Sequence, residues 1–166
     1  MKKAILAMGC ALAVAIPALA DQPTVQVQPP DLHGSRPLEK LTESAVIRDY
    51  LESWEKLSAA LDQNHVDLLN SDFLGTAREK LAATIATQAK IGIHTHYQDL
   101  SHNLQIVFYS PEGQSIQMVD AVEYDVQVFD HDKLMATQHV KARYVVVLTP
   151  AEVRWKIRVF QAEPQA

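Results

Sequence analysis

From Leu38 onward the apolar residues recur at intervals of three and four. Val46, Ile47, Tyr50, Leu51, Trp54, Leu57 and Leu61 form one stripe, while Arg48, Asp49, Glu52, Glu55 and Lys56 fill the other side. That period is the mark of an amphipathic helix. "TESA" offers Thr42 or Ser44 as its N-cap, and the helix should stop near Asn64. "DQNHVDLLNSDFLG" reads as a break, a short apolar turn and a second break at Gly75. Leu81, Ile85 and Ala89 then mark a second helix, with Gly92 suited to its C-terminal cap.

Beyond Gly92 the period falls to two. Leu104, Ile106 and Phe108 alternate with polar or smaller neighbours, and "SPEG" makes a turn. Ile116, Met118, Val122, Tyr124, Val126 and Val128 share the face of a long second strand. "DHDK" turns it back into Leu134, Ala136, Val140, Ala142, Tyr144, Val146 and Leu148, and "TPAE" leads to Val153, Trp155, Ile157 and Val159. Helices followed by a four-stranded antiparallel meander, each element apolar on one face, predict an α+β domain with its helices on one side of a curved sheet.

The ends of the chain follow different rules. "MKKAILAMGCALAVAIPALA" has two lysines, an apolar run and a small-residue close, which is the pattern of a signal peptide (1–20) cut after Ala20. Residues 21–37 hold four of the eight prolines and no apolar period, so an extended, Pro-rich tether is expected, with His33 a solvated residue in it. The domain should then run over 38–161, followed by a short tail, 162–166. Cleavage would remove Lys2, Lys3 and Cys10, the lone cysteine, leaving 13 basic against 20 acidic side chains, a formal charge of −7 in place of −5. The expectation is therefore a periplasmic or secreted, acidic protein. It would have no stable membrane insertion after cleavage, no disulfide, no thiolate chemistry and no affinity for nucleic acid.

The order long helix, short helix, helix, then a sheet closing on "VRWKIRVF" resembles the NTF2-like (SnoaL-like) superfamily over Glu43 to Phe160, with Trp155, Lys156 and Ile157 as the terminal feature. Within it, "YLESWEKLSAAL", "HTHY" and "DAVEYDV" resemble the IMS-type domain of chloroplast-division proteins. The resemblance implies a cystatin-like cone whose pocket lies between the concave sheet face and the long helix. In the superfamily that pocket is an active site in ketosteroid isomerases, scytalone dehydratases and epoxide hydrolases, and elsewhere serves only binding or assembly. Fold alone does not choose between these.

Candidate chemistry is sparse. Asp120 falls in register with Ile116, Met118, Val122 and Tyr124, so a regular strand aims its carboxylate into the core, where a general acid or base could be built. A β-bulge at "VDA" would instead turn Val119 in and Asp120 out, and long bent strands favour bulges. Gln138, between Ala136 and Val140, is a second polar break and would line the pocket. His94, His96 and His102 share one parity. An unbroken strand would put all three on the core face, with His94 and His96 at the pocket mouth, whereas one irregular residue in "QDLSHN" would separate them. Two strand neighbours do not make a metal site, and no third ligand lies at a recognised spacing, so the three histidines are weak metal candidates.

On the outer face Lys141, Arg143, Arg154, Lys156 and Arg158 form a basic stripe. A hairpin closing at Asp130 to Lys133 sets Glu123 opposite Lys141 and Asp125 opposite His139, leaving Arg143, Arg154 and Arg158 less compensated. No Gly-rich phosphate loop, G-x-S-x-G elbow or cofactor fingerprint occurs, and no cofactor is expected.

The sequence therefore leads to an exported, non-catalytic binding or assembly module for a small apolar ligand or a protein partner, with homodimerisation through the sheet as the arrangement that fits the superfamily. Tyr50, Trp54, Met118, Asp120, Tyr124 and Gln138 are its expected pocket residues. The alternative is a cofactor-independent isomerase, dehydratase or hydrolase using Asp120, His94 and His96, with Tyr50 or Tyr124 donating a hydrogen bond. A metal-binding protein is the third reading.

Overall fold

The computed structural model describes residues 22–34 and 36–163. The expected signal peptide, 1–20, and the last three residues of the expected tail lie outside them. Helix α1 is Lys40–Gln63 and α2 is Gly75–Lys90, joined through a 3-10 turn at Val66–Leu69. Five strands follow the order β1 (Thr24–Val27), β2 (Ile93–Tyr109), β3 (Ile116–Asp130), β4 (Lys133–Pro150) and β5 (Trp155–Ala162) in one sheet. The pairs from β2 to β5 are antiparallel, whereas β1 pairs parallel to β2.

The fifth strand comes from the segment expected to be a free tether. "TVQV" alternates β-branched and polar residues, which suits a strand, and it uses the edge that β2 would otherwise leave unpaired. The chain after it stays on that edge, with the N–H groups of Gln28, Asp31 and His33 donating to the carbonyls of Leu104, Ile106 and Val107. Arg36 ends the strap by lying 4.5 Å over the Tyr109 ring and donating to the Pro111 carbonyl at 2.7 Å. His33 is exposed.

Helix α1 starts earlier than its expected caps. Neither Thr42 nor Ser44 is the N-cap: that position falls to Glu39, which makes no side-chain cap bond. The C-terminal stop is where it was expected, because Asn64 adopts φ 54°, which an asparagine tolerates better than most residues. Gly92, at φ 75°, donates its N–H to Ala89 and closes α2. In α2 the buried position beyond Ile85 is Gln88 and not Ala89, which is exposed. The Gln88 amide donates to the Leu61 carbonyl and to Asn64 Oδ1, both at 2.6 Å, and accepts from Thr95 Oγ1 at 2.8 Å. This one side chain links α1, α2 and β2. Gln88→Ala is expected to cost about 1–3 kcal/mol by stranding the Leu61 carbonyl and the Thr95 hydroxyl, read as a lower urea midpoint with unchanged slope.

The curved sheet wraps α1, and the core lies between them: Val46, Tyr50, Trp54, Leu57 and Leu61 from α1 meet Leu104, Ile106, Met118, Val122, Val146 and Leu148. Trp54 is its aromatic centre, with ring centroids of His102, Phe160, Tyr124 and Tyr144 at 5.3 to 5.6 Å. Of the four register shifts among the described strands, three re-aim side chains of the core. One between Ile106 and Phe108 buries Tyr109 in place of the expected Phe108, and one between Val147 and Leu148 skips Arg158, so that Phe160 packs on the core where Val159 was expected. The third, between Asp99 and Ser101, decides the histidines. Val153, expected on the apolar face, is 90 % exposed in the turn before β5. Among the described residues no helix is long and apolar enough to cross a membrane.

Candidate functional site

Asp120 points inward and is fully buried. No bulge occurs at "VDA": Asp120 pairs in regular register with Leu104 on one side and Tyr144 on the other, and the irregularities that bend this part of the sheet fall on β2 instead. A buried carboxylate requires donors. Asp120 has three, the Tyr50 hydroxyl at 2.7 Å, His102 Nδ1 at 2.7 Å and the Asn103 N–H at 3.2 Å.

Strand β2 supplies the histidine of this group through its bulge at Leu100. Before the bulge Tyr97 and Asp99 have the core-facing parity; after it His102 and Leu104 do. His102 is 1 % exposed, with Nε2 3.7 Å from Asp99 Oδ2, too long for a direct hydrogen bond. Burial works against its charged form, but the hydrogen bond to Asp120 and the negative charges of Asp120 and Asp99 outweigh this and raise its pKa to about 9. His102 is therefore an imidazolium at neutral pH, held between two carboxylates. Burial, reinforced by the Asp120 carboxylate, pushes the Tyr50 hydroxyl well above the ordinary phenol range, so it remains a donor. The Trp54 indole N–H lies close enough to the Tyr50 oxygen to favour its anion, but it makes no well-formed hydrogen bond.

His94 and His96 stand elsewhere. The bulge that turns His102 inward leaves both partly exposed near the end of α1, where His94 Nδ1 lies 3.1 Å and His96 Nδ1 3.8 Å from Asp62 Oδ1. His94 also stacks on Phe129 with centroids 5.0 Å apart and bonds the His131 carbonyl through Nε2. Neither is near enough to bond Asp120, whose partners are already named, so the expected Asp120, His94, His96 constellation does not form. Among the described residues no group of three His, Cys, Asp or Glu side chains is placed to hold a metal ion.

The other expected pocket residues divide. Tyr50, Trp54, Met118 and Tyr124 are buried in the core, Tyr50 bonded to Asp120, and the Tyr124 hydroxyl meets that of Tyr144 at 3.0 Å. Gln138 does not line this space. It is exposed near the far end of the β3–β4 hairpin, opposite Val126, because the hairpin runs past the helices that cover the rest of the sheet. Asp99 was not identified from the sequence, since its inward aim depends on the same bulge. Asp49 was placed on the polar side of α1 but is fully buried, where it accepts from Arg48 and from the Trp155 N–H. Arg154 likewise leaves the outer stripe, turning inward to bond Glu52 and buried Asp72.

On the outer face the β3–β4 charges pair as the hairpin register requires, Lys141 with Glu123 at 2.7 Å and His139 with Asp125 at 2.8 Å. Arg143 pairs with Glu163 at 3.3 Å, and Lys156 donates to the Asn70 carbonyl. A depression of about 500 Å³ on this face is lined by Ala121, Glu123, Lys141, Arg143 and the edge of β1.

A single α-helical layer inside a curved meander has solved counterparts. The chain is similar to the intermembrane space region of the chloroplast protein ARC6, with 16 % identity and a TM-score of 0.62 over 78 % of this chain and 100 % of that one. The fold is NTF2-like. A candidate scytalone dehydratase from Novosphingobium aromaticivorans shares it at 15 % identity and TM-score 0.52, covering 76 % of this chain and 89 % of that one. The protein Kfla4162 from Kribbella flavida does so at 9 % identity and TM-score 0.51, covering 72 % and 90 %. No family model and no curated protein matches the sequence. At such identities the likeness concerns the fold, and an NTF2-like fold carries enzymes and binding modules alike.

Proposed function

We propose that this chain is an exported, non-catalytic binding and assembly module, acting through the outer face of its sheet on a second copy or a protein partner. The observation that carries this reading is the state of Asp120. It is fully buried, its oxygens take three hydrogen bonds, and Tyr50, Trp54, Met118 and Tyr124 of the same core are each 5 % exposed or less. A carboxylate committed in this way is a structural anchor and not a base awaiting substrate. The depression around Ala121, set among paired charges, offers a surface for association. The acidic balance and the leader pattern support export.

Sedimentation velocity of the protein and of Ala121→Arg tests this. The expected result is concentration-dependent self-association, or association with a purified partner, that the arginine abolishes while leaving the melting temperature within a few degrees. An Ala121→Arg protein that associates as the wild type does would refute the role of this face.

One observation favours the enzyme reading. His102 is cationic, and its Nε2 is buried without a hydrogen-bond partner, as a general acid would be before substrate arrives. That reading requires turnover of a small molecule that His102→Gln abolishes.

A further inference from the structure

Strand β1 ends the sheet, and its outer edge lacks the protection given to the others. The start of β2 is covered by Ser58 and Asn64, which donate to the Tyr97 and Ile93 carbonyls. On β5 the Ile157 N–H donates to the Asp72 carbonyl and the Ile157 carbonyl accepts from Leu74. The half of β4 that runs past β5 carries Lys133, His139, Lys141 and Arg143, charges of the kind that keep an edge from pairing. The β1 segment "TVQV" has no charge, and all four residues are exposed. Its Val27 lines a groove of about 830 Å³ with Pro29, Pro30, Ile47 and Leu51, and Val25 meets the same Leu51 in the adjoining cavity. Thr24 and Gln26 face the outer depression instead. The Gln28 N–H donates to Leu104 of β2, and backbone groups alternate sides along a strand. Thr24 and Gln26 therefore turn their N–H and C=O groups to β2, while Val25 and Val27 present theirs outward.

We infer that β1 pairs antiparallel with β1 of a second copy, about a twofold axis through Gln26. The segment from Pro23 to Pro29, "PTVQVQP", is nearly symmetric about that residue. In this register Val25 of each copy lies opposite Val27 of the other on the α1 face, and each such pair exchanges two backbone hydrogen bonds. Pro23 falls opposite Pro29 of the second copy, and because neither has an N–H the ladder stops there. A slip of two residues would set a valine carbonyl opposite a proline that has no N–H to give. The contact is thus self-complementary and closed. Charge agrees with it. Helix α1 runs antiparallel to β2, with Asn64 at Ile93, Ser58 at Tyr97 and Trp54 at His102, and so runs antiparallel to β1 as well. The twofold axis lays the two α1 helices antiparallel on one side of the joined sheet, with Arg48 of each directed towards Glu55 of the other and the two apolar grooves facing each other.

So short a ladder makes a weak pair, which a disulfide can trap. Gln26 lies opposite itself in a non-hydrogen-bonded pair, where Cα atoms stand about 4.5 Å apart, within disulfide range. Thr24 of the two copies would be about 13 Å apart along the ladder, out of range. In the full chain carrying Cys10→Ser, Gln26→Cys is expected to oxidise to a disulfide dimer about tenfold faster than Thr24→Cys, read on non-reducing gels. Val25→Pro removes an outward N–H and no bond to β2, and Val25→Lys keeps the backbone whole. Each should slow the Gln26→Cys reaction to the Thr24→Cys rate. The reaction should persist in Ala121→Arg, so the inference does not depend on the role proposed for the outer sheet face. Equal rates at positions 24 and 26, or a Gln26→Cys rate that neither Val25 variant changes, would overturn it. A reaction abolished by Ala121→Arg would assign the contact to the outer face and overturn it equally.

Discussion

Replacing Asp120 by alanine is expected to destabilise the domain by about 3–5 kcal/mol, the usual cost of removing one partner from a buried ion pair. The reason is what the alanine leaves behind. The Tyr50 hydroxyl and the His102 imidazolium, both buried, lose their acceptor, and Asn103 loses an N–H partner. A domain of this size has on the order of 5–15 kcal/mol to spend. The variant should therefore unfold at a much lower urea concentration, and part of it should be unfolded without denaturant at elevated temperature. Asp120→Asn should cost less, because the amide oxygen still accepts from Tyr50, but the loss of charge should lower the His102 pKa. The same pair of variants bears on function. A carboxylate kept for catalysis at the expense of stability usually gives a more stable protein when neutralised, whereas an anchor gives a less stable one.

The second large effect is a loss of stability with rising pH. The folded pKa of His102 is about 9, against about 6.5 for an unfolded histidine. The cationic form is thus favoured by folding, and its contribution is complete below about pH 6.5, declines as pH rises, and is gone once pH passes about 9. The total is of order 3 kcal/mol at most. Tyrosines interfere only later: the Tyr97 hydroxyl is pushed up to about 12 by burial and the neighbouring Tyr124 and Asp99, and those of Tyr50 and Tyr124 are also raised by burial. Their contributions begin to be lost only near pH 10, where unfolded phenols ionise. Urea midpoints across the interval from about 6.5 to about 9 should therefore fall in the wild type. They should be nearly flat in His102→Gln, which carries no charge to lose.

What could be read from the sequence follows from what the period of side chains can encode. The α1 stripe and the Asn64 stop are visible because a helix repeats its apolar face over many residues, and Asn64 is a residue that accepts the left-handed turn. The hairpin register, with Glu123 opposite Lys141 and Asp125 opposite His139, is legible because the turn fixes every pair that follows. The candidate site was only half legible. Asp120 falls on the apolar parity of β3, and a regular strand places it correctly. Its partner His102 could not be chosen over His94 and His96, because the choice rests on one bulged residue, Leu100, which no residue type announces. The same holds for Phe160 in place of Val159, which one skipped residue on β5 decides. The prolines of the strap, without an apolar period, suggest a tether, while the backbone edge of β2 that captures it is invisible in side-chain patterns. Arg154 and Asp49 break the amphipathic pattern for a different reason: Asp49 is buried and Arg154 half-buried, each with partners from distant elements that satisfy its charge.

A structural Asp120 requires a closed interior around it, and the methionines allow that closure to be measured directly. Outside the leader pattern the chain has two, Met118 in the interior with no exposure and Met135 near the β3–β4 turn with 55 % exposure. Paramagnetic relaxation of their methyl signals by a dissolved neutral gadolinium chelate compares the two sites within one sample. Strong broadening is expected at Met135 and almost none at Met118. Comparable broadening at both would mean that solvent enters the cone, and would contradict the reading of Asp120 as a sealed structural anchor.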